Sequence, residues 1–428
     1  MRIDRIEIKN YRLFKDISVD LDPHVNMIIG NNGSGKSSLL NALLVGASSF
    51  LSGIAWTNPR GILTDDVRHE IRTEGGLAHR VDCYPVGIKC YGYVNEYPCV
   101  WERGLNGPKS KTTNSGIKDI RMISKGMEQD VIDGNEVVLP LIAYYGTGRL
   151  WAQKKTKREG VQRLQSRFRG YEDCIDEMAS DKQLKEWFYD LSVQEEQEGK
   201  IIQLRTVQKA MEKCFADMVY HNETGNVKIR FRQKYKEIVV EYDNENGERE
   251  IHPISEMSDG YKTTLNMIAD IAHRMAVLNP GMGSKILETP GIVIIDELEL
   301  HLHPGWQARI IKDLAEVFPK IQFIVSTHSP EVISSYKDAR LILLKDKQQH
   351  HVRSAYGKDV NTVLQSIFDV SDRDEAVALM LLRFARELEE NDAEAEKILN
   401  NLEETLGKDD PAVYEAHLDL DIKRMNVE

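Results

Sequence analysis

Short apolar runs that end in polar clusters are the clearest pattern along the chain. The runs at residues 25–29, 292–295 and 323–325 are rich in Val, Ile and Phe, which predicts strands buried on both faces. A similar run at 137–144 predicts another buried strand. Alternation of apolar and polar residues predicts half-buried strands at 2–9, 17–21, 81–84, 86–93, 97–101, 227–231 and 238–242.

Helical spacing of apolar residues dominates the remaining segments. It predicts a helix directly after the polar cluster at 30–38, helices within 171–222, and a helix that begins at Ser258. The last part of the chain is also helical. Its predicted helices cover 374–390, cover 393–406, and begin at Pro411, a favourable first-turn residue.

These elements predict an α/β fold with an inserted lobe and a helical tail. We expect the two halves of the head domain at residues 1–50 and 251–358. The inserted lobe, β-rich and then helical, is expected at 51–250, and the tail at 359–428.

The polar cluster at 30–38 lies between a predicted strand and a predicted helix, and it fits the P-loop pattern G-x-x-x-x-G-K-[ST]. Gly33 and Gly35 allow backbone N–H groups to surround phosphate oxygens, and the helix start adds its positive dipole end. Lys36 is expected to reach the β- and γ-phosphates of ATP, and Ser37 to ligate Mg²⁺. The predicted nucleotide-binding residues of this loop are Asn31, Asn32, Gly33, Ser34, Gly35, Lys36, Ser37 and Ser38.

Two further strand ends carry candidate catalytic groups. Asp296 and Glu297 follow an apolar strand in the form of a Walker B motif, which places Asp296 beside Mg²⁺ and lets Glu297 polarise the attacking water. His328 stands at the tip of another buried strand, where it could hydrogen-bond a γ-phosphate or the water. The alternative for His328 is a histidine whose hydrogen bonds are satisfied at a strand end.

The helix predicted after Ser258 begins with the sequence Met-Ser-Asp-Gly-Tyr. Ser258 is expected to be its N-cap and Gly260 an open backbone donor, so this helix start is a second candidate anion site. One P-loop already provides a site for the phosphates. A second anion-facing helix therefore suggests a nucleotide held between two copies of the protein.

The net charge of −12 is unevenly distributed along the chain. Residues 372–428 contain 17 Asp and Glu against 7 Lys and Arg, so the rest of the chain is close to neutral. Two local basic clusters stand out within it. The segment 146–170 and the strand face of Lys228, Arg230 and Arg232 are candidates for DNA phosphate contacts, with solvated basic surfaces as the alternative.

Cellular location is indicated by three features of the sequence. No apolar run approaches the ~20 residues of a transmembrane helix, and the amino terminus alternates like a strand instead of resembling a signal peptide. The five cysteines lack C-x-x-C spacing, which suits free thiols in a cytoplasmic protein. A zinc set formed by His79, Cys83, Cys90 and Cys99 is an alternative, but core thiols fit the alternating pattern better.

In this order, the P-loop, the serine-glycine segment, the Asp-Glu pair and the strand-end histidine resemble the head of ABC-type ATPases. The segment 296–304 resembles the RecF-like and OLD-like branch of these ATPases. Segments 143–151, 169–171, 258–261 and 356–361 resemble ATPases of bacterial anti-phage defence, closest to the PtuA family of Septu systems.

This resemblance implies a head with a mixed central sheet and flanking helices. It also implies a homodimer or larger assembly in which ATP and Mg²⁺ bridge two heads. It implies that Lys36, Ser37 and Asp296 contact phosphates or Mg²⁺, that Glu297 is the catalytic base and that His328 senses the γ-phosphate. It implies that Ser258 and Gly260 close the site of another copy. Arg12 is expected to contact the α-phosphate, with a surface arginine as the alternative.

The sequence departs from the family pattern at two places. The signature differs from L-S-G-G-Q at Met257, Asp259 and Tyr261, which argues against fast turnover. Gln153 lies near the region of the lobe-bridging glutamine, but it follows the preceding strand at an unusual distance.

The resemblance also implies a partner, a separate HNH endonuclease that cleaves DNA under control of the nucleotide state. This chain is expected to lack a nuclease of its own, because the late pair Asp419 and Asp421 has no preceding strand. The acidic tail is a candidate docking surface, with a solvated helical cap as the alternative. A RecF-like repair ATPase that binds DNA without a nuclease is the alternative function. A transporter subunit is disfavoured because no coupling helix is evident.

Overall fold

The computed structural model describes residues 1–74, 77–150, 167–176, 181–220, 226–244, 246–352, 354–369 and 373–427. The chain divides into two compact units, each considered by itself below. They are Met1–Asp359, here called the head unit, and Val360–Glu428, here called the tail unit.

The strands and helices are numbered in chain order. The strands are β1 (Arg2–Tyr11), β2 (Phe14–Asp20), β3 (Val25–Ile29), β4 (His69–Glu74), β5 (Leu77–Asp82), β6 (Val86–Val94), β7 (Tyr97–Leu105), β8 (Leu141–Tyr145), β9 (Lys228–Arg232), β10 (Glu237–Asp243), β11 (Arg249–Pro253), β12 (Gly291–Ile295), β13 (Ile321–Thr327), β14 (Arg340–Lys345) and β15 (Gln348–His351). The helices are α1 (Lys36–Ser48), α2 (Lys118–Ile132), α3 (Asp181–Glu198), α4 (Ile202–Tyr220), α5 (Asp259–Leu278), α6 (Pro304–Gln307), α7 (Ile310–Val317), α8 (Pro330–Ser335), α9 (Val360–Phe368), α10 (Glu375–Glu390), α11 (Asp392–Leu406) and α12 (Pro411–Val427).

A six-stranded sheet forms the centre of the head unit, in the order β15-β14-β3-β13-β12-β8. All neighbours pair in parallel except β14 and β15. Strands β3, β8, β12 and β13 are buried along their whole length, as their continuous apolar sequences require. The buried runs predicted at 25–29, 292–295 and 323–325 are confirmed, and with them the α/β fold with a mixed central sheet.

A second sheet, in the order β2-β1-β6-β7, is antiparallel and packs one face against α1. Burial alternates along β6, which places Cys90 in the core, and the buried Trp101 lies opposite it on β7. The indole N–H of Trp101 donates to the Gly46 carbonyl of α1 at 2.9 Å. The alternating patterns at 2–9, 17–21, 86–93 and 97–101 therefore correspond to strands.

The segment 51–250, expected to form an inserted lobe, contributes strands to several sheets. Strands β6 and β7 complete the amino-terminal sheet, β8 is an edge strand of the central sheet, and β9 and β10 pair with β11. Helix α2 also lies within the segment that was predicted to be β-rich. Its buried residues Ile120 and Met127, with Ile117 just before it, recur at helical spacing, a signal that the preceding polar loop obscured.

A buried charge network ties α5 to the central sheet. Arg274 donates from Nε to the Asp270 carboxylate at 2.7 Å, and the Tyr145 hydroxyl donates to the same oxygen at 2.8 Å. A second guanidinium nitrogen of Arg274 donates to the carbonyls of Gly170 and Glu172 at 3.0 and 2.8 Å. The network therefore joins the end of β8, α5 and the segment 167–176.

Replacement of Asp270 by alanine is expected to destabilise the head unit by about 3–5 kcal/mol, because Arg274 would stay buried without its carboxylate. The double variant Asp270→Leu/Arg274→Met is expected to regain most of that stability, since it removes both charges. Urea unfolding followed by circular dichroism measures both changes. If both variants lose the same free energy of unfolding, the destabilisation does not come from leaving Arg274 without its carboxylate.

The tail unit has a hydrophobic core of its own between α10, α11 and α12. The largest buried side chains in this core are Phe384, Leu399, Leu402, Val413 and Leu420. Asp374 caps α10 by accepting a hydrogen bond from the Ala376 N–H at 2.9 Å. The helices predicted at 374–390, at 393–406 and from Pro411 are confirmed. Across the described part of the chain, no helix has the length and apolarity that crossing a bilayer demands.

Candidate nucleotide-binding site

The loop between β3 and α1 depends on glycine at two positions. Gly35 has a φ of +110°, and a Cβ added there would lie 2.7 Å from Cζ of Phe14. A Cβ added at Gly30 would lie 2.4 Å from the Leu344 carbonyl oxygen. Gly35 is the N-cap of α1 and no side chain caps this helix, so the first-turn N–H groups have no partner within it. This loop has the form of a phosphate cradle.

Lys36 places a buried cation at the centre of the loop. Its ammonium group donates to the carbonyls of Gly30 and Asn31 at 2.8 and 3.2 Å, and the residue is 6% exposed. Burial lowers the pKa of Lys36, while the carboxylates of Asp296, Glu297 and Glu299 act in the opposite direction. The loop thus holds a cation that faces carboxylates but forms its hydrogen bonds with neutral carbonyls.

The end of β12 is locked to the end of β13 by Ser326. The Ser326 hydroxyl donates to Oδ1 of Asp296 at 2.5 Å and accepts from the backbone N–H of Glu297 at 2.8 Å. Glu297 has a φ of +50°, in the left-handed region that is costly for a residue with a side chain. Such strained backbone conformations are concentrated at functional sites. The hydrogen bond to Ser326 holds Glu297 in this conformation.

His328 follows β13 and is half-buried. Its backbone N–H donates to Oε1 of Glu299 at 2.6 Å. Burial lowers the pKa of the His328 imidazole, and the ammonium group of Lys36 lowers it further. The lowered pKa favours the neutral imidazole, in which one nitrogen can accept a hydrogen bond while the other donates.

These residues meet because β3, β13 and β12 are adjacent parallel strands. The P-loop, the Asp296–Glu297 pair and His328 follow their carboxyl ends, which is the edge at which α/β sheets bind ligands. The sequence-predicted Lys36, Asp296, Glu297 and His328 are thus brought within electrostatic reach of one another. Around the loop itself, Asn31, Asn32, Gly33 and Ser37 are exposed, Ser34 is half-buried and Ser38 is buried.

The start of α5 carries the predicted signature residues. Ser258 is its N-cap, as predicted, but its hydroxyl forms no capping hydrogen bond with the helix. Gly260 is packed so tightly that an added Cβ would lie 2.5 Å from the His301 carbonyl oxygen. Tyr261 lies against Trp306 with ring centroids 4.1 Å apart. The departure from the usual signature at Tyr261 therefore provides an aromatic contact within the same chain.

Arg12 forms its contacts with a buried aspartate. Its Nε lies 2.8 Å from Oδ1 of Asp66, and its backbone N–H donates to the Asp66 carbonyl at 2.7 Å. The Asp66 side chain is 1% exposed, so this carboxylate depends on Arg12 for charge compensation. A contact between Arg12 and an α-phosphate stays a prediction.

The predicted basic face on β9 is partly neutralised inside the protein. Arg230 and Arg232 lie 3.4 and 2.5 Å from the carboxylate of Glu241, and Arg249 lies 3.6 Å from it. The Glu241 side chain is 6% exposed, and Lys228 is exposed beside it. Two of the three cations predicted to contact DNA thus already have a carboxylate partner.

The other basic segment, 146–170, is described only in part. Residues 151–166, and Gln153 with them, lie outside the described residues. Arg167 turns inward and donates to the carbonyls of Leu278 and Val137, both at 2.6 Å. Burial lowers the pKa of Arg167. This arginine holds the segment in place instead of presenting a free cation.

The five cysteines are free thiols. Cys90 and Cys99 are buried, which confirms them as core residues and raises the pKa of both thiols. Cys83 is half-buried and accepts a hydrogen bond from Arg68 at 3.4 Å. Within the described ranges, no three or more His, Cys, Asp or Glu side chains are grouped as a metal site.

Mg²⁺ fits the site as an ion that binds together with a nucleotide. It commonly uses one or two protein oxygens and completes its shell with phosphate oxygens and water. The exposed Ser37 hydroxyl and the Asp296 carboxylate are oxygen donors of the required kind. Asp296 is held in position by Ser326, which gives this ligand a fixed orientation.

Two residues of this site were missing from the sequence-based prediction, namely Ser326 and Glu299. Ser326 is the first residue of the polar cluster that ends β13, and Glu299 lies two positions after Glu297. Proximity to the predicted catalytic residues was the available signal for both. Their partners are about thirty positions away along the chain, so the sequence did not specify the contacts.

Comparison with known proteins shows where this chain belongs. The sequence profile of a family described as an AAA domain matches residues 5–218, which is half of the chain. A second profile, described as an AAA domain, putative AbiEii toxin, Type IV TA system, matches residues 176–334.

Individual relatives and one solved structure extend this comparison. The Retron Ec83 probable ATPase of Escherichia coli is 26% identical, over 98% of this chain and 87% of its own. The Septu protein PtuA of Bacillus mycoides is 26% identical, over 83% of this chain and 41% of its own. The head of an Smc protein, solved with the C-winged helix domain of ScpA, matches 82% of this chain and 98% of its own, with a TM-score of 0.49 and 16% identity.

Proposed function

This chain belongs to the AAA-domain family, and from that membership we propose that it binds and hydrolyses ATP at the edge of its central sheet. It is related to PtuA, as the sequence resemblance predicted, and the comparison adds a similarity to the retron ATPases. The observation that carries the proposal is the convergence of Lys36, Asp296, Glu297 and His328 at three neighbouring strand ends. The loss of ATP binding in a Lys36 variant, treated in the Discussion, is the test.

The proposed roles follow from the chemistry of each side chain. Lys36 exchanges its loop carbonyls for the β- and γ-phosphate oxygens, because a charged acceptor forms the stronger hydrogen bond. Glu297 accepts a proton from the attacking water, and the neutral His328 hydrogen-bonds the γ-phosphate. Ser37 and Asp296 hold Mg²⁺, which when bound neutralises the negative charge that develops on the phosphates.

Self-association completes the proposed site. The Ser258 hydroxyl does not cap α5, so it can donate to a phosphate bound in another copy of the chain. Gly260 lies in the same helix start, which carries the positive end of the helix dipole. The active form is therefore a homodimer or higher homo-oligomer in which each nucleotide is enclosed by two heads.

The proposed partner is an HNH endonuclease that acts on DNA and is controlled by the nucleotide state of this assembly. The relationship to the Septu protein PtuA and the acidic composition of the tail support this proposal. DNA contacts are proposed for segment 146–170 and for Lys228, whereas Arg230 and Arg232 contribute less because they share Glu241.

Copurification tests the partner proposal. An HNH protein encoded beside this chain is expected to elute with it from size exclusion, and an HNH protein from an unrelated neighbourhood is expected to elute alone. ATP-dependent DNA binding by this chain without any nuclease partner would favour the RecF-like alternative instead.

A further inference from the structure

Glu299 connects two functional loops of the head unit. It lies in the loop after β12, three residues beyond Asp296, and its Oε1 accepts the backbone N–H of His328 at 2.6 Å. This hydrogen bond joins the loop that follows β12 to the loop that follows β13, across 29 positions of sequence. The position of His328 therefore depends on a carboxylate of the neighbouring loop.

The second oxygen of this carboxylate is unusual. Oε2 of Glu299 is buried, and none of the residues that the structure describes donates a hydrogen bond to it. A buried carboxylate oxygen without a donor is unfavourable, because it has given up water and received nothing in return. A residue required only to hold the loop could do so with one acceptor atom. This oxygen therefore offers an acceptor position that suits a donor other than the described side chains, such as a bound water.

The charged groups near Glu299 show that its carboxylate lies close to the proposed phosphate site. The negative charge of Glu299 acts on both Lys36 and His328, so its carboxylate lies within the group of residues proposed to hold the phosphates. A nucleotide bound there carries ordered water around its γ-phosphate. Water is a donor small enough to reach a buried oxygen at the margin of such a site.

Glu297 and Glu299 differ in how they are held. The backbone of Glu297 is fixed by Ser326 with a positive φ, which suits a side chain directed at the reacting atoms. Glu299 instead uses its own side chain to fix a second loop. The two carboxylates are therefore suited to different tasks.

We propose that Glu299 is a positioning residue for ATP hydrolysis: Oε1 holds the His328 loop, and Oε2 accepts a hydrogen bond from ordered water that enters with the nucleotide. The inference rests on the proposed ATPase function. The loop after β12 would then carry two carboxylates with different roles. Glu297 abstracts a proton, and Glu299 positions His328 and a water molecule.

Two substitutions separate the two oxygens. Glu299→Gln retains an acceptor for the His328 N–H but places an N–H₂ donor where the open oxygen was. Glu299→Ala removes both acceptors. We expect kcat to fall roughly tenfold in Glu299→Gln and roughly 100-fold in Glu299→Ala, with the ATP dissociation constant within about threefold of wild type.

Steady-state ATPase assays and titration with a fluorescent ATP analogue supply the two readouts. Glu316→Gln, on the exposed side of α7, is the matched control and is expected to behave as wild type. If Glu299→Gln retains the wild-type kcat, the role of the open oxygen is wrong. If Glu299→Ala weakens ATP binding as much as it lowers kcat, Glu299 does not act through hydrolysis.

Two further measurements distinguish an error in the role of Glu299 from an error in the proposed ATPase function and from loss of the fold. Absence of ATPase activity in the wild-type chain would overturn the proposed function itself, whatever the variants do. Thermal unfolding of each variant identifies loss of fold. If Glu299→Ala does not fold, the nearly isosteric Glu299→Gln decides the question by its kcat alone.

Discussion

Replacement of Lys36 by alanine is expected to weaken ATP binding by roughly 100-fold or more and to abolish measurable hydrolysis. In the proposed site the ammonium group forms charge-assisted hydrogen bonds to the phosphates, and two such bonds would account for a loss of this size. Isothermal titration with a slowly hydrolysed ATP analogue measures the affinity, and phosphate release measures the rate. Unchanged binding and hydrolysis in this variant would refute the proposed site.

The control for Lys36 must separate binding from stability. Lys36 is buried and bonded to two loop carbonyls, so its removal also alters the empty loop. Lys36→Met retains most of the apolar stem but no charge, and it should preserve the fold while losing affinity. Lys262→Ala, at a half-exposed lysine of α5, should leave both binding and stability near wild type.

Replacement of Glu297 by glutamine is expected to slow hydrolysis by about 10²- to 10⁴-fold while ATP binding persists, because an amide cannot accept the proton of the attacking water. ATP would then hold two heads together for much longer than in the wild type. Light scattering after size exclusion, with ATP and separately with ADP, measures the fraction of assembled chain. An ATP-bound fraction no larger than that of the wild type would contradict hydrolysis-timed association.

A second substitution tests whether this assembly uses the proposed surface. Ser258→Arg, introduced together with Glu297→Gln, is expected to prevent the ATP-dependent assembly while leaving ATP bound to single chains. Ser366→Arg, at an exposed serine of α9, is the matched control and should have no effect. Persistent assembly in the Ser258 variant would show that copies meet through another face.

The elements that sequence predicts well are those determined by neighbouring residues. Three consecutive local patterns predicted β3, the glycine loop and α1. They are an apolar run, a glycine-containing polar cluster, and apolar residues at helical spacing. The same holds for β12 and β13, whose apolar runs end in the polar residues of the site. The helices of the tail unit were predicted because their apolar residues recur at helical spacing within each helix.

The features that sequence did not predict depend on contacts between distant residues. No local pattern indicates that Glu241, on the adjacent strand, takes up the charges of Arg230 and Arg232. The pairing of Arg12 with Asp66 spans 54 positions, and both partners look like ordinary surface residues in the sequence. Burial and partner choice are decided by the three-dimensional fold, so charge patterns alone overestimated the basic surface available to DNA.

The close packing of Gly260 against the His301 carbonyl has a mechanical consequence for the proposed assembly. The loop after β12, which is proposed to carry the catalytic base, touches the start of α5, which is proposed to meet a second copy, and no space is left there for a methyl group. If the loop moves during the proposed hydrolysis, the start of α5 is expected to move with it, because the two are packed without a gap.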